Sequence, residues 1–336
     1  MKFRLPIDGF VLALIGTVGL ASVLPAHGQG AEAAGWAAKL AIAFLFFLYG
    51  LRLAPRAALD GLRQWKLHLA VLGSSFVLFP MLGLALGLLP EAVLAPELYA
   101  GVLFLCVLPS TVQSSIAFTS IARGNVAAAV CSASASNLLG ILLTPALVAL
   151  LMHGAGAGIS LGVLGDLAMQ LFLPFALGQA LRPRLGAWAQ RHRGILGRMD
   201  RLSILMVVYV AFSEGVTSGI WHRLDAGQLA VLLLVCAALL GAVLGLTMWL
   251  ARRLGFSRAD EIVLVFCGSK KSLASGLPMA SVIFAGSQVG LVVLPLMLFH
   301  QMQLMVCAWL AKRYVSCPEA PGAASGGLAA RRALAP

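Results

Sequence analysis

The chain has 336 residues, 60% of them hydrophobic and 11% charged, with a formal net charge of +12. The apolar residues gather into runs of about twenty, which excludes a soluble globular core and indicates a polytopic helical membrane protein. The six cysteines and six histidines form neither a zinc pattern nor a disulfide framework, so no metal and no cofactor is expected.

Ten apolar runs predict ten spans, over 7–24, 35–53, 67–89, 98–122, 126–151, 161–181, 202–220, 229–250, 262–284 and 289–310. Of the 24 lysines and arginines, 20 fall at the chain ends or at alternate connections, so they share one side. The opposite side keeps Lys39 and Arg223, and Lys270 and Lys271 lie inside the ninth span. The positive-inside rule then places both termini in the cytoplasm of a bacterial inner-membrane type protein, and it accounts for the basic excess without nucleic acid. Lys2 and Arg4 ahead of an apolar run also fit a cleaved signal peptide, but its removal would spoil the charge alternation.

Spans one to three read as ordinary lipid-facing or packing helices, with polar content confined to Thr17, Ser22, Tyr49, Ser74 and Ser75. Span four changes character. Pro109 breaks it, and Ser110, Thr111, Gln113, Ser114 and Ser115 crowd the next turn and a half. Such a cluster suits a discontinuous helix whose freed groups hold a ligand, and equally suits packing between membrane helices by small polar residues. Span five follows after the short turn ARGN, with Asn125 placed to cap it and with Ser132, Ser134, Ser136 and Asn137 along it. Ser132 and Ser136 share a face.

The second half repeats the plan. Span seven carries Glu214, either a partner for a lysine or a solvated group near the outer interface. Span nine holds Ser269, Lys270, Lys271 and Ser272 between Gly268 and the pair Gly276 and Pro278, which predicts an unwound centre. A lysine at mid-membrane costs about 2.5 to 3.5 kcal/mol on insertion scales, so each needs a partner, a wet cavity or a function. Span ten carries His300, Gln301 and Gln303. Spans four and five thus correspond to spans nine and ten, and five spans per repeat is odd, so the two repeats run in opposite orientations. Paired broken helices in inverted repeats are the architecture of secondary transporters.

The strings PSTVQSSIAFTSIARGNVAAAV, NLLGILLTP and DEIVLVFCGSKKSLASGLPM resemble the bile acid:sodium symporter superfamily, in its SBF-like branch related to solute carrier family 10 member 7. The resemblance implies an all-α protein of ten transmembrane helices in two inverted five-helix repeats. It implies a core of spans three to five and eight to ten, a panel of spans one, two, six and seven, and broken spans four and nine crossing near the substrate. Residues 1–313 would form one transporter domain, and 314–336, rich in Ala, Gly and Pro, a disordered cytoplasmic tail. Laid on sodium-coupled relatives, the span-nine glutamate falls on Phe266, a glutamine on Lys270, two hydroxyl ligands on Ala129 and Ala133, and an asparagine on Ser115, while Ser114 matches. Two-sodium coupling is therefore not expected. Lys270 is expected to stand in for a cation at the carbonyl ends of the half-helices, with Lys271 turned toward an anionic substrate or Glu214 and proton coupling through one of the pair as a variant.

The expected function is secondary transport of an organic anion or related small solute by alternating access, with membrane lipid as the surrounding partner. A non-transporting membrane sensor or regulator of the same fold is the alternative. An intramembrane enzyme with a lysine base is disfavoured, because no serine–lysine pair stands out and no catalytic residue is expected.

Overall fold

A computed structural model describes residues 9–52, 64–91, 93–152, 161–217, 219, 225–284 and 288–316, and every regular element among them is helical. The helices are α1 (Gly9–Val23), α2 (Gly28–Arg52), α3 (Trp65–Gly73), which runs through a π-turn at Ser74–Leu78 into α4 (Phe79–Leu86), and α5 (Pro96–Val107). They continue as α6 (Gln113–Ile121), α7 (Val126–Leu151), α8 (Leu161–Arg191) and α9 (Arg193–Thr217). The chain then forms α10 (Ala226–Arg253), α11 (Arg258–Gly268), α12 (Leu273–Ile283) and α13 (Gln288–Ser316). Among the described residues, five stretches are long and apolar enough to cross a membrane: Gly28–Arg52, Trp65–Leu86, Val126–Leu151, Ala226–Arg253 and Val289–Ser316.

Two departures from the sequence expectation have simple causes. The basic segment between the sixth and seventh spans is not an open connection: α8 runs on through Arg182 and Arg184 to Arg191, and α9 starts at Arg193. Arginine is a good helix former, so the helix continues past the point where hydropathy stops reporting it. Residues 314–316, placed in the expected tail, are the last turn of α13, and the Tyr314 hydroxyl donates to Glu261 Oε1 at 3.0 Å. The rest of the expected tail, like Lys2 and Arg4, lies outside the described residues.

Helices α1, α2, α8 and α9 pack on one another, and α3 to α7 with α10 to α13 form the other mass. Between α2 and α8 the backbones touch. A Cβ at Gly50 would lie 2.0 Å from the Phe175 carbonyl oxygen, and one at Gly178 would lie 2.1 Å from the Phe47 carbonyl oxygen. Small residues at membrane helix contacts allow this approach, and here the contact is reciprocal. Asn125 caps α7 as expected, its Oδ1 accepting from the Ala128 N–H at 3.1 Å. Its Nδ2 donates to Asp260 Oδ1 at 3.0 Å and its N–H to the Ala259 carbonyl at 3.1 Å, which ties the start of α7 to the start of α11.

Candidate functional site

Two helix breaks face each other, and the site follows from what their carbonyls do. A helix leaves its last four carbonyls without intrahelical donors. At the end of α11 all four are met by serine hydroxyls from different places in the chain. Ser269 donates to Val265 O at 2.5 Å, Ser115 to Phe266 O at 2.9 Å, Ser110 to Cys267 O at 2.5 Å and Ser74 to Gly268 O at 2.8 Å. Ser272 N–H then reaches across to the Pro109 carbonyl at 2.9 Å, joining the two breaks through their backbones.

The end of α5 is met differently. Pro109 has no N–H, and the Ser110 N–H is taken by Ser136 Oγ at 3.0 Å, so the Cys106 carbonyl is left free. The Val107 carbonyl accepts from Thr144 Oγ1 at 2.9 Å. A third acceptor arises in the π-turn: the Phe79 N–H goes to Ser74 O, and residue 80 is proline, so the Ser75 carbonyl has no helical donor. Lys271 collects what remains. Its Nζ donates to Ser75 O at 2.8 Å, Cys106 O at 2.8 Å and Leu108 O at 2.7 Å, and it sits 4.1 Å from the centre of the Phe79 ring. An ammonium has three donors, and all three are used.

The backbone of Lys271 is fixed as firmly as its side chain. Gln303 accepts its N–H at Oε1 (2.9 Å) and donates Nε2 to its carbonyl (2.9 Å), while His300 Nδ1 stands 3.3 Å from the same carbonyl. Replacing Gln303 by leucine removes both bonds in a buried place, and a loss of about 2 to 4 kcal/mol is expected. Gln303→Glu, which keeps an acceptor for the N–H and loses the donor, should fall between the two in thermal unfolding. Lys270 is also fully buried, yet its Nζ has no hydrogen-bond partner among the described residues. It lies over Phe118, 3.9 Å from the ring centre, and 5.5 Å from that of Phe266, a cation–π arrangement.

Beside the breaks is a cavity of about 380 Å³. One wall carries Thr111, Gln113, Ser114, Asn137, Ser272, Ser275 and His300; the other carries Tyr49, Arg52, Asp200 and Arg201. Ser272 Oγ accepts the Ser275 N–H at 3.2 Å as the α12 cap, and Ser275 Oγ donates to Asn137 Oδ1 at 2.8 Å. Arg52 Nη1 and Asp200 Oδ2 form an ion pair between α2 and α9 at the cavity wall, while Arg52 Nη2 and Asp200 Oδ1 are buried with no hydrogen-bond partner among the described residues. Two arginines and one aspartate give this lining a positive formal balance.

A model of the SBF-like CPA transporter family matches residues 8–316. The chain belongs to that family. It is 56% identical over 308 residues to "Uncharacterized protein PA2026" of Pseudomonas aeruginosa, covering 91% of this chain and 92% of that one. It is 52% identical over 314 residues to "Putative symporter YfeH" of Escherichia coli K12, covering 94% and 95%. It is 27% identical over 306 residues to "Sodium/bile acid cotransporter 7" of Rattus norvegicus, covering 89% and 90%. An SBF-like transporter with several apolar helices is a multi-pass membrane protein.

In this SBF-like chain the predicted residues divide into three groups. Thr111, Gln113, Ser114, Asn137, Ser272 and His300 line the cavity. Pro109, Ser110, Ser115, Ser136, Ser269, Lys270 and Lys271 belong to the joined breaks, and Ser132 Oγ lies 2.7 Å from His68 Nδ1. Glu214 and Gln301 line neither, and both are half-buried elsewhere. The carbonyl ends expected at Lys270 are bound by Lys271, and Lys271 has no donor left for Glu214 or a substrate. Ala129 and Ala133, where the resemblance would place two hydroxyl ligands, pack in an apolar cluster with Leu67, Val71 and Cys267. Sequence reading missed the roles of Ser74, Ser75, Gln303, Arg52 and Asp200. Only Gln303 left a signal, sharing a helix face with His300 three residues earlier.

Proposed function

We propose that this protein is a secondary transporter of a small organic anion that works by alternating access without bound sodium. Its ten spans form two inverted five-helix repeats within residues 1–313. Spans three to five and eight to ten move as a core against a panel of spans one, two, six and seven. The protein resides in a bacterial inner membrane with both termini cytoplasmic, and the solute occupies the cavity between core and panel.

One observation carries this reading: the Lys271 ammonium occupies the carbonyl ends of a broken helix, where a diffusible cation could otherwise serve. The positive formal balance of the cavity lining supports an anionic solute, because a low-dielectric cavity with an excess of one sign attracts its counter-ion. Lys270, held by aromatic faces with no acceptor among the described residues, is the member of the pair available for proton coupling.

Reconstitution tests it. Proteoliposomes offered a set of small radiolabelled carboxylates should take up at least one of them at a rate unaffected by an imposed sodium gradient, with a proton gradient as the parallel arm. Uptake driven by sodium would overturn the ion reading. Saturable binding without flux for every compound would favour a membrane sensor instead.

A further inference from the structure

The sequence holds two near-identical pentapeptides, WLARR at residues 249–253 and WLAKR at residues 309–313, which differ only at Arg252 and Lys312. Both strings close a long helix, α10 and α13 respectively, and those two helices pack together. The ends lie on the same side of the molecule, because both reach Glu261. Tyr314 Oη donates to its Oε1 at 3.0 Å, and Arg252 Nε lies 4.0 Å from the same oxygen. Arg258 Nη2 adds a bond to the Tyr314 carbonyl at 2.7 Å.

The two strings also present matching faces. Ala251 and Ala311 are each 0% exposed, whereas Trp249 and Trp309 are each 55% exposed. Four residues after each tryptophan the arginine folds back over it, Arg253 at 5.5 Å and Arg313 at 4.3 Å from a ring centre. Arg252 and Lys312 are exposed beside them. Among the described residues the acids at this end are Glu261, already engaged, and Asp260, which accepts from Ser257 Oγ at 2.8 Å and from Asn125. Among the described residues the remaining charge at this end is therefore basic, and it accompanies two exposed tryptophans, the residue type enriched at membrane interfaces.

We propose that the paired strings are a clamp for an anionic phospholipid. The guanidinium groups of Arg253 and Arg313 donate to phosphate oxygens, for which their planar forks are suited. The exposed faces of Trp249 and Trp309 lie against the glycerol and upper acyl chain. A lipid with net negative charge fits better than phosphatidylcholine, whose choline would face the same four cations. Basic sites between membrane helices favour such headgroups. The inference does not depend on the transport reading.

The test uses the full chain in nanodiscs of phosphatidylcholine, with or without phosphatidylglycerol. Phosphatidylglycerol should raise the unfolding midpoint, and the R253Q/R313Q variant should lose that rise while matching the wild type in phosphatidylcholine alone. An R182Q/R184Q variant, altered at the basic end of α8, should keep it. An equal loss in both variants, or a rise that survives in R253Q/R313Q, overturns the proposal. If R253Q/R313Q does not fold, brominated lipids decide with the unaltered protein: stronger tryptophan quenching by brominated phosphatidylglycerol than by brominated phosphatidylcholine supports the clamp, and equal quenching sinks it.

Discussion

Lys271→Ala should unfold at a much lower temperature than the wild type, and sodium should give back part of the difference. Each of three buried carbonyls loses its donor, and an unsatisfied buried group costs about 1 to 3 kcal/mol, so the sum is about 3 kcal/mol or more. In a chain of this size that is on the order of 10 °C in the midpoint. Alanine also leaves room among the carbonyls, which are hard oxygen ligands suited to a small cation. Lys271→Met fills that room, so it should show a similar loss that sodium does not repair. The wild type should be indifferent to sodium throughout. Thermal unfolding in detergent, with potassium as the ionic-strength control, reads all three; a sodium-stabilised wild type, or an unaffected Lys271→Ala, contradicts the assignment.

Gly178→Ala is expected to be as damaging by a different route. The added Cβ would lie 2.1 Å from the Phe47 carbonyl oxygen and 2.9 Å from the Leu51 nitrogen, and neither backbone atom can swing aside as a side-chain tip could. Helices α2 and α8 must separate, which also unpacks Phe46 and Leu48 from their neighbours. Overpacking typically costs about 1 to 3 kcal/mol where side chains can adjust, and a backbone collision lies at or above the top of that range. Gly16→Ala is the matched control, since a Cβ there meets nothing within 4 Å and alanine favours the helix. Size-exclusion profile and unfolding midpoint should separate the two variants; equal behaviour would mean that the α2–α8 contact is looser than described.

Much of the centre was legible because it rests on residues that break rules. Pro109 and Gly268 interrupt apolar runs, two adjacent lysines sit where charge is costly, and serines gather without a surface to solvate them. The assignment of roles within that centre was not legible. Which lysine meets the carbonyls depends on where the Ser75 oxygen points, and that follows from a π-turn and Pro80 nearly two hundred residues earlier in the chain. Ser74 read as a packing residue because a hydroxyl in an apolar helix gives no sign of its acceptor, here Gly268. Arg52 is one of the 20 basic residues that topology alone accounts for, and nothing local in the sequence pairs it with Asp200 across α2 and α9. The full length of α8 was hidden for the converse reason, since hydropathy reports the membrane and not the helix.

The cation in the α5 break is covalently part of the chain. A free ion occupies such a site in proportion to its activity in the medium, and it departs at a finite rate. An ammonium on a four-carbon stem has a local concentration set by that stem, which no dilution or chelation alters. On the proposed reading, the closure of α5 against the π-turn should be the same in sodium-rich and sodium-free water, its persistence limited by backbone opening rather than by an ion's dissociation.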